Sequence, residues 1–125
     1  MAYTKPTDDI CFQEGSGWFS MTAGADLVAG QALTVDDTFA AIVCPAANEA
    51  GFIGVAGYDA DDGDKVLVYG PGNIIRSHCI SDTAVGAAVT NEVDQGGFGD
   101  ASVSVKQGVA LEAGTSGSSF RILLV

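Results

Sequence analysis

The tripeptide Gly-Val-Ala occurs at Gly54–Ala56 and again at Gly108–Ala110, and each copy opens the same local plan. After the first come Gly57-Tyr58, an acidic loop over residues 59–64 and the run KVLVY at Lys65–Tyr69. After the second come Leu111-Glu112, a Gly/Ser-rich loop and FRILLV at residues 120–125. Short runs rich in β-branched and aromatic residues, split by glycine turns, predict two β-hairpins. A further echo lies upstream of each hairpin, LVAGQALT at residues 27–34 and AVGAAVT at residues 84–90. Two copies are too few for a solenoid, which needs about three or more repeats to bury a continuous core. The expectation is one closed domain with internal pseudo-symmetry.

The rest of the chain extends the β pattern. WFSM at residues 18–21, residues 25–35, FAAIVC at 39–44, NIIRSHCI at 73–80, residues 85–89 and the alternating ASVSV at 101–105 read as strands. Residues 46–50 have room for one helical turn, and residues 91–100 read as a Gly- and acid-rich surface loop. The 17 glycines oppose long helices. Many short strands at about ten-residue spacing predict an all-β fold, a small antiparallel β-barrel or β-tulip-like domain carrying the two hairpins. A chain of 125 residues suits one domain, able to bury roughly two-thirds of its unfolded surface. Residues 1–17, with Ile10-Cys11-Phe12 as their one apolar island, read as an extended N-terminal arm, and residues 18–125 as the domain.

The formal charge is −11, from 16 Asp and Glu against five Lys and Arg. Such a surface repels nucleic-acid phosphates and anionic membrane, so neither is expected as a partner. It also suits very salty water, where screening shortens to about 3 Å at 1 M. No apolar run approaches the ~20 residues of a membrane helix, and residues 3–14 are polar, so synthesis and folding in a cytoplasm are expected. Cys11, Cys44 and Cys79 are odd in number and lack CxxC spacing, which favours reduced, packed thiols.

No catalytic or metal constellation emerges, and the chain is expected not to be an enzyme and to need no cofactor. Counted from Asp59, an EF-hand would place glycine at the sixth position and glutamate at the twelfth, but Asp64 and Gly70 stand there. The acidic loop reads as a solvated hairpin tip. His78 and Cys79 are strand neighbours facing opposite sides, so they serve neither one zinc ion nor a nucleophile–base pair. The Gly-x-Gly fragments at 15–17 and 70–72 lack both the following helix and the lysine of a phosphate loop.

The order of pieces, Ala29 to Thr34, Gly54 to Gly72 with KVLVYGPG, Ala84 to Thr90, and GVALEAG leading to RILLV, resembles small glycine-rich capsid decoration (cement) proteins of tailed viruses, those likened to the lambda head-decoration proteins. The resemblance implies a β-barrel or β-tulip domain on the outer surface of the virion, stabilising the head. It implies the major capsid protein as partner, a homotrimer at threefold and quasi-threefold sites, and an N-terminal arm touching the shell. On that reading Tyr3, Ile10, Phe12, Trp18 and Phe19 are the candidate capsid-binding residues, with Trp18 and Phe19 as anchors because desolvated aromatics concentrate binding energy. The strong acidity departs from a purely electrostatic grip on an acidic shell. The competing class is a secreted or surface β-domain binding carbohydrate or another ligand. It would need aromatics exposed on one sheet face, and Tyr58, Tyr69 and Phe98 are the available suppliers.

Overall fold

The computed structural model describes residues 3–7, 10–13, 17–47, 49–92, 96–101 and 106–125. Among them are eleven strands and no helix: β1 (Cys11–Gln13), β2 (Trp18–Thr22), β3 (Ala32–Val35), β4 (Ala41–Val43), β5 (Gly54–Ala56), β6 (Lys65–Tyr69), β7 (Ile74–His78), β8 (Ala88–Asn91), β9 (Phe98–Asp100), β10 (Gly108–Ala110) and β11 (Ser119–Leu124). They form a five-stranded sheet, β2-β6-β5-β3-β4, and a six-stranded sheet, β1-β7-β11-β10-β8-β9, with every strand pair antiparallel.

Set β1 aside and the two sheets have one topology: β7-β11-β10-β8-β9 repeats β2-β6-β5-β3-β4 strand for strand. The equivalence reaches single hydrogen bonds. Leu27 and Ala60 exchange a pair of backbone bonds, as do Thr83 and Gly114; Gly30 N–H donates to Ala56 and Gly86 N–H to Ala110. Asp26 Oδ1 accepts from Asp62 N–H at 3.0 Å, and Asp82 Oδ1 from Ser116 N–H at 2.8 Å. The two upstream echoes and two hairpins of the sequence are therefore two copies of one five-stranded unit.

Each unit curls until its edges touch at one bridge, Ala23 to Ala41 in the first and Cys79 to Phe98 in the second. Among the described residues no continuous ladder seals either sheet. The barrel expected from the sequence is realised as two strongly curled open sheets, because single bridges join edges that lack the length for a full ladder. The glycines of the two Gly-Val-Ala copies have a steric reason. A Cβ on Gly54 would run into the carbonyl oxygen of Tyr69 on β6, and one on Gly108 would lie 2.8 Å from that of Leu123 on β11. The φ of Gly54 is 147°, in the region glycine alone adopts freely.

Alternation decides what each strand buries. Along β11, Phe120, Ile122 and Leu124 are buried while Ser119, Arg121 and Leu123 point outward; on β6, Val66 and Val68 do the same. Met21, Leu27, Leu33, Ala56, Val66 and Val68 fill the first unit. The second core holds Val89, Phe98, Phe120 and Ile122, and it continues into the seam between units, where Ala29, Ala32 and Val55 of the first unit join it. Each fully buried Leu, Ile, Val or Phe contributes about 1.5–3 kcal/mol.

The seam also carries a buried polar cluster. Gln107 Nε2 donates to Asn91 Oδ1 at 2.7 Å and to Glu49 O at 3.1 Å, while Gln107 Oε1 accepts from Asn91 N–H at 2.7 Å. Asn91 Nδ2 donates to Ala46 O at 2.7 Å, and its Oδ1 also accepts from Glu49 N–H at 2.9 Å. Phe52 meets Phe98 edge-on at a centroid distance of 5.9 Å, and Ser77 Oγ donates to Gly30 O at 2.6 Å.

Three local expectations change. The expected loop over 91–100 instead carries the end of β8 and all of β9, because the fully buried Phe98 anchors that stretch; residues 93–95 lie outside the described residues. Phe39 belongs to a turn with φ 65° rather than to a strand. Ala46-Ala47 form a bend and turn, not a helical turn, and Asn48 lies outside the described residues. The strand expected over 101–105 falls, from residue 102 to 105, outside them as well.

Candidate functional site

Strand β2 is the outermost strand of its sheet along most of its length. Gly70 N–H donates to Gly17 O at 2.5 Å and Ala23 N–H to Asp64 O at 2.7 Å, so residues 17, 19, 21 and 23 turn their backbone groups toward β6. The N–H and C=O groups of Trp18 and Ser20 then point to the open side, while beyond them the Ala23–Ala41 bridge brings the far edge of the sheet against the end of β2. In the second unit the equivalent edge is filled: β1 pairs with β7, and Arg76 N–H, the counterpart of Ser20 N–H, donates to Ile10 O at 2.7 Å. The first unit thus presents the same edge with no strand on it among the described residues.

Two aromatics flank that edge. Trp18 is 54% exposed and Phe19 40% exposed, and as strand neighbours they project to opposite faces. Aromatics of this size bury about 150–250 Å² each when covered, so removing the exposed halves from water is worth about 2 kcal/mol per ring. An open strand edge with an aromatic on each face fits an extended segment adding to the sheet or a partner surface closing over it.

The remaining candidates lie elsewhere. Tyr3 is half-buried, donates from its hydroxyl to Ala29 O at 2.6 Å and sits edge-on to His78; burial pushes its pKa up. Ile10 is buried in the core of the second unit. Phe12 lies on β1, and its side chain is outside what the structure describes. The segment read as an arm is therefore, through Tyr3, Lys5, Ile10 and β1, laid along its own domain. Of the three aromatics assigned to a ligand platform, Phe98 is fully buried, Tyr69 packs against the core and Tyr58 is exposed, so they do not share a face. An open cleft of about 460 Å³ lies beside Tyr58, between Lys5–Thr7 and Gly57–Asp59. Lys5 Nζ spans it to Asp59 Oδ2 at 3.1 Å.

The acidic loop has a structural task. Asp59 Oδ1 accepts from Ala29 N–H at 2.9 Å, which with Lys5 holds its carboxyl below the usual range. His78 and Cys79 diverge as expected: His78 faces Tyr3, and Cys79 lies in the core with Sγ donating to Ser81 O at 3.0 Å. Burial, reinforced by Glu49, pushes the Cys44 thiol up to about 12, and burial raises Cys79 too, so both stay protonated at neutral pH.

These environments set a pH dependence. Burial lowers the pKa of His78, so the unfolded chain takes up a proton there below about pH 6.5 that the native state refuses, and stability falls as pH drops through that range. Asp36, Asp59 and Glu112 are lowered by hydrogen bonds, so their contribution is present above their unfolded pKa values and lost as pH falls through the depressed ones. Both act in one direction. The stability gap between wild type and His78→Asn should narrow between pH 7 and pH 5 in urea titrations. A gap constant with pH would contradict the assignment, and the comparison cancels the acid-induced relief of the −11 charge that both proteins share.

No family model and no curated protein matches the chain. Among solved structures it is similar to the head fiber gp8.5 N base of bacteriophage phi29, with a TM-score of 0.67 at 22% identity, over 86% of this chain and 92% of that one. The two proteins share a fold. At this identity the fold is what the likeness carries, and it spans both five-stranded units rather than one of them.

Proposed function

We propose that this chain is a structural, non-catalytic decoration protein of a tailed-virus head, bound to the outside of the major capsid protein lattice as trimers at threefold and quasi-threefold sites and stabilising the shell. The observation that carries the reading is the fold shared, over most of both chains, with a protein from the head fibre of a phage. It is supported independently by the order of motifs that resembles cement proteins. The protein is made in the host cytoplasm and resides on the virion surface, and its charge keeps it from nucleic acid and membrane.

The shell contact is assigned to the open edge of β2 with Trp18 and Phe19, since Tyr3 and Ile10 are engaged within the chain. A contact built on backbone groups and aromatics also tolerates the like charge of an acidic shell. Many such weak contacts at symmetric sites add up across a lattice. Co-sedimentation with undecorated shells of the cognate major capsid protein tests the assignment. The wild type should saturate at a fixed ratio to capsid subunits, and Trp18→Ser with Phe19→Ser should weaken binding by about tenfold or more, that is, by at least 1.4 kcal/mol. Binding unchanged by both substitutions would place the contact elsewhere.

A further inference from the structure

The two units end in the same edge but do not finish it alike. In the second, β1 lies antiparallel on β7: Cys11 stands opposite Ile75, and Arg76 N–H donates to Ile10 O at 2.7 Å. In the first, the matching stretch is residues 18–20. Trp18 pairs with Tyr69 on β6 as Ile74 pairs with Leu123 on β11, and Ser20 takes the place of Arg76. All three residues are exposed, and Trp18 and Ser20 turn N–H and C=O outward with no backbone partner among the described residues. Their counterparts beside β1 are buried or half-buried.

An open edge of this kind invites a further strand, and elsewhere the fold blunts its edges. Of the outer strands, β1, β4 and β9 have three residues each, and the ladder of β1 shifts register between Cys11 and Gln13. Strand β2 has five residues in unbroken register with β6, none of them charged or proline. Its entry is also fixed in place. The fully buried Asn73 donates from Nδ2 to Gly17 O at 2.9 Å, and the same oxygen accepts from Gly70 N–H. A regular edge held in this way loses little further freedom on binding.

The Ala23–Ala41 bridge closes the far end of β2, so the open part matches the short stretch that β1 covers on β7. Trp18 and Phe19 project above and below the plane in which an added strand would lie. Ser20 is smaller than the Arg76 that β1 already passes. None of the three side chains narrows the line of an incoming backbone.

We propose that the shell contact is made by strand addition: an extended segment of the capsid subunit lies antiparallel on residues 18–20 and repeats there the pairing of β1 with β7. This rests on the head-decoration reading and names the chemistry of its partner. The segment supplies a carbonyl to Ser20 N–H in the place of Ile10 O, and sets a small or apolar side chain beside Phe19 in the place of Cys11. Pairing of two β2 edges from two copies would instead set bodies of −11 each against one another over the same short stretch.

Ser20→Pro separates strand addition from any other use of this surface. Because Ser20 N–H faces the open side, proline removes that donor without touching the ladder to β6. In co-sedimentation with undecorated shells of the cognate major capsid protein, Ser20→Pro should bind about tenfold more weakly or worse, while Ser20→Ala, which keeps the N–H, should bind as the wild type does. Circular dichroism and the thermal midpoint check the fold of both variants. Hydrogen exchange of the wild type asks the same question without a substitution. The amides of residues 18 and 20 should exchange fast in the free chain and slowly on shells, whereas that of Arg76, already bonded to Ile10 O, should be slow in both. Bound shells with both amides still fast, or a folded Ser20→Pro that binds as tightly as the wild type, would leave decoration standing and overturn strand addition. Slow exchange of the two amides in the free chain would overturn it as well, since the edge would then be filled already, by the chain itself or by a second copy. A wild type that binds no shells in low or high salt would remove the head-decoration reading, and the proposed occupant with it.

Discussion

Asn91→Leu should lower the stability of the protein by about 3 kcal/mol or more, a large fraction of the roughly 5–15 kcal/mol margin of a folded domain. The side chain is fully buried and serves three partners: it accepts from Glu49 N–H and Gln107 Nε2 and donates to Ala46 O. Leucine fills the same space and satisfies none of them, and each buried group left without a partner costs about 1–3 kcal/mol. Because Ala46 and Glu49 belong to the first unit and Asn91 and Gln107 to the second, the loss should be cooperative, with one unfolding transition shifted downward. Urea denaturation checks it. Gln107→Leu should cost a similar amount, and the double variant should cost less than the sum, as expected for one shared network. A change below about 0.5 kcal/mol for Asn91→Leu would mean that the seam is not held by this cluster.

Gly54→Ala is the second large effect. The added methyl would run into the Tyr69 carbonyl, a backbone atom that moves only if β5 and β6 separate, and φ 147° is strained for alanine besides. A loss of about 3 kcal/mol or more is expected. Gly63→Ala is the control: its φ is 92°, but nothing lies within 4 Å of the added atom, so it should cost only the backbone term of about 1–2 kcal/mol. Equal losses at the two positions would show that backbone conformation, and not the close approach of β6, selects the glycine of the Gly-Val-Ala motif.

That motif is where the sequence was most legible. Gly-Val-Ala followed by a hairpin, twice, leads to β5–β6 and β10–β11, and the upstream echoes lead to the turns at Gly30 and Gly86, with φ of 88° and 82°. Local signals sufficed because each glycine answers to a turn or a neighbouring strand close in sequence. The division into two sheets was less legible, since β2 pairs with β6 and β7 with β11 across intervals that no hairpin spacing reports. Ile10 and β1 looked like an arm because three strand residues in a polar stretch carry little pattern, and their partner, β7, lies far along the chain. Phe98 was lost in a Gly- and acid-rich stretch whose composition outweighed one buried ring. Of the candidate site, Trp18 and Phe19 were named from residue type alone. The open backbone edge behind them becomes visible only when β2 is compared with its filled counterpart β7. Phe39 was hidden inside an apolar run, with only the preceding Asp-Asp-Thr to signal a turn.

Electron cryomicroscopy of undecorated shells saturated with this protein tests head decoration most directly. The prediction is added density on the outer surface at threefold and quasi-threefold positions, fitted by the two five-stranded units with the Trp18 edge toward the capsid subunits. Shells identical with and without the protein, or density confined to the inside of the shell, would contradict it.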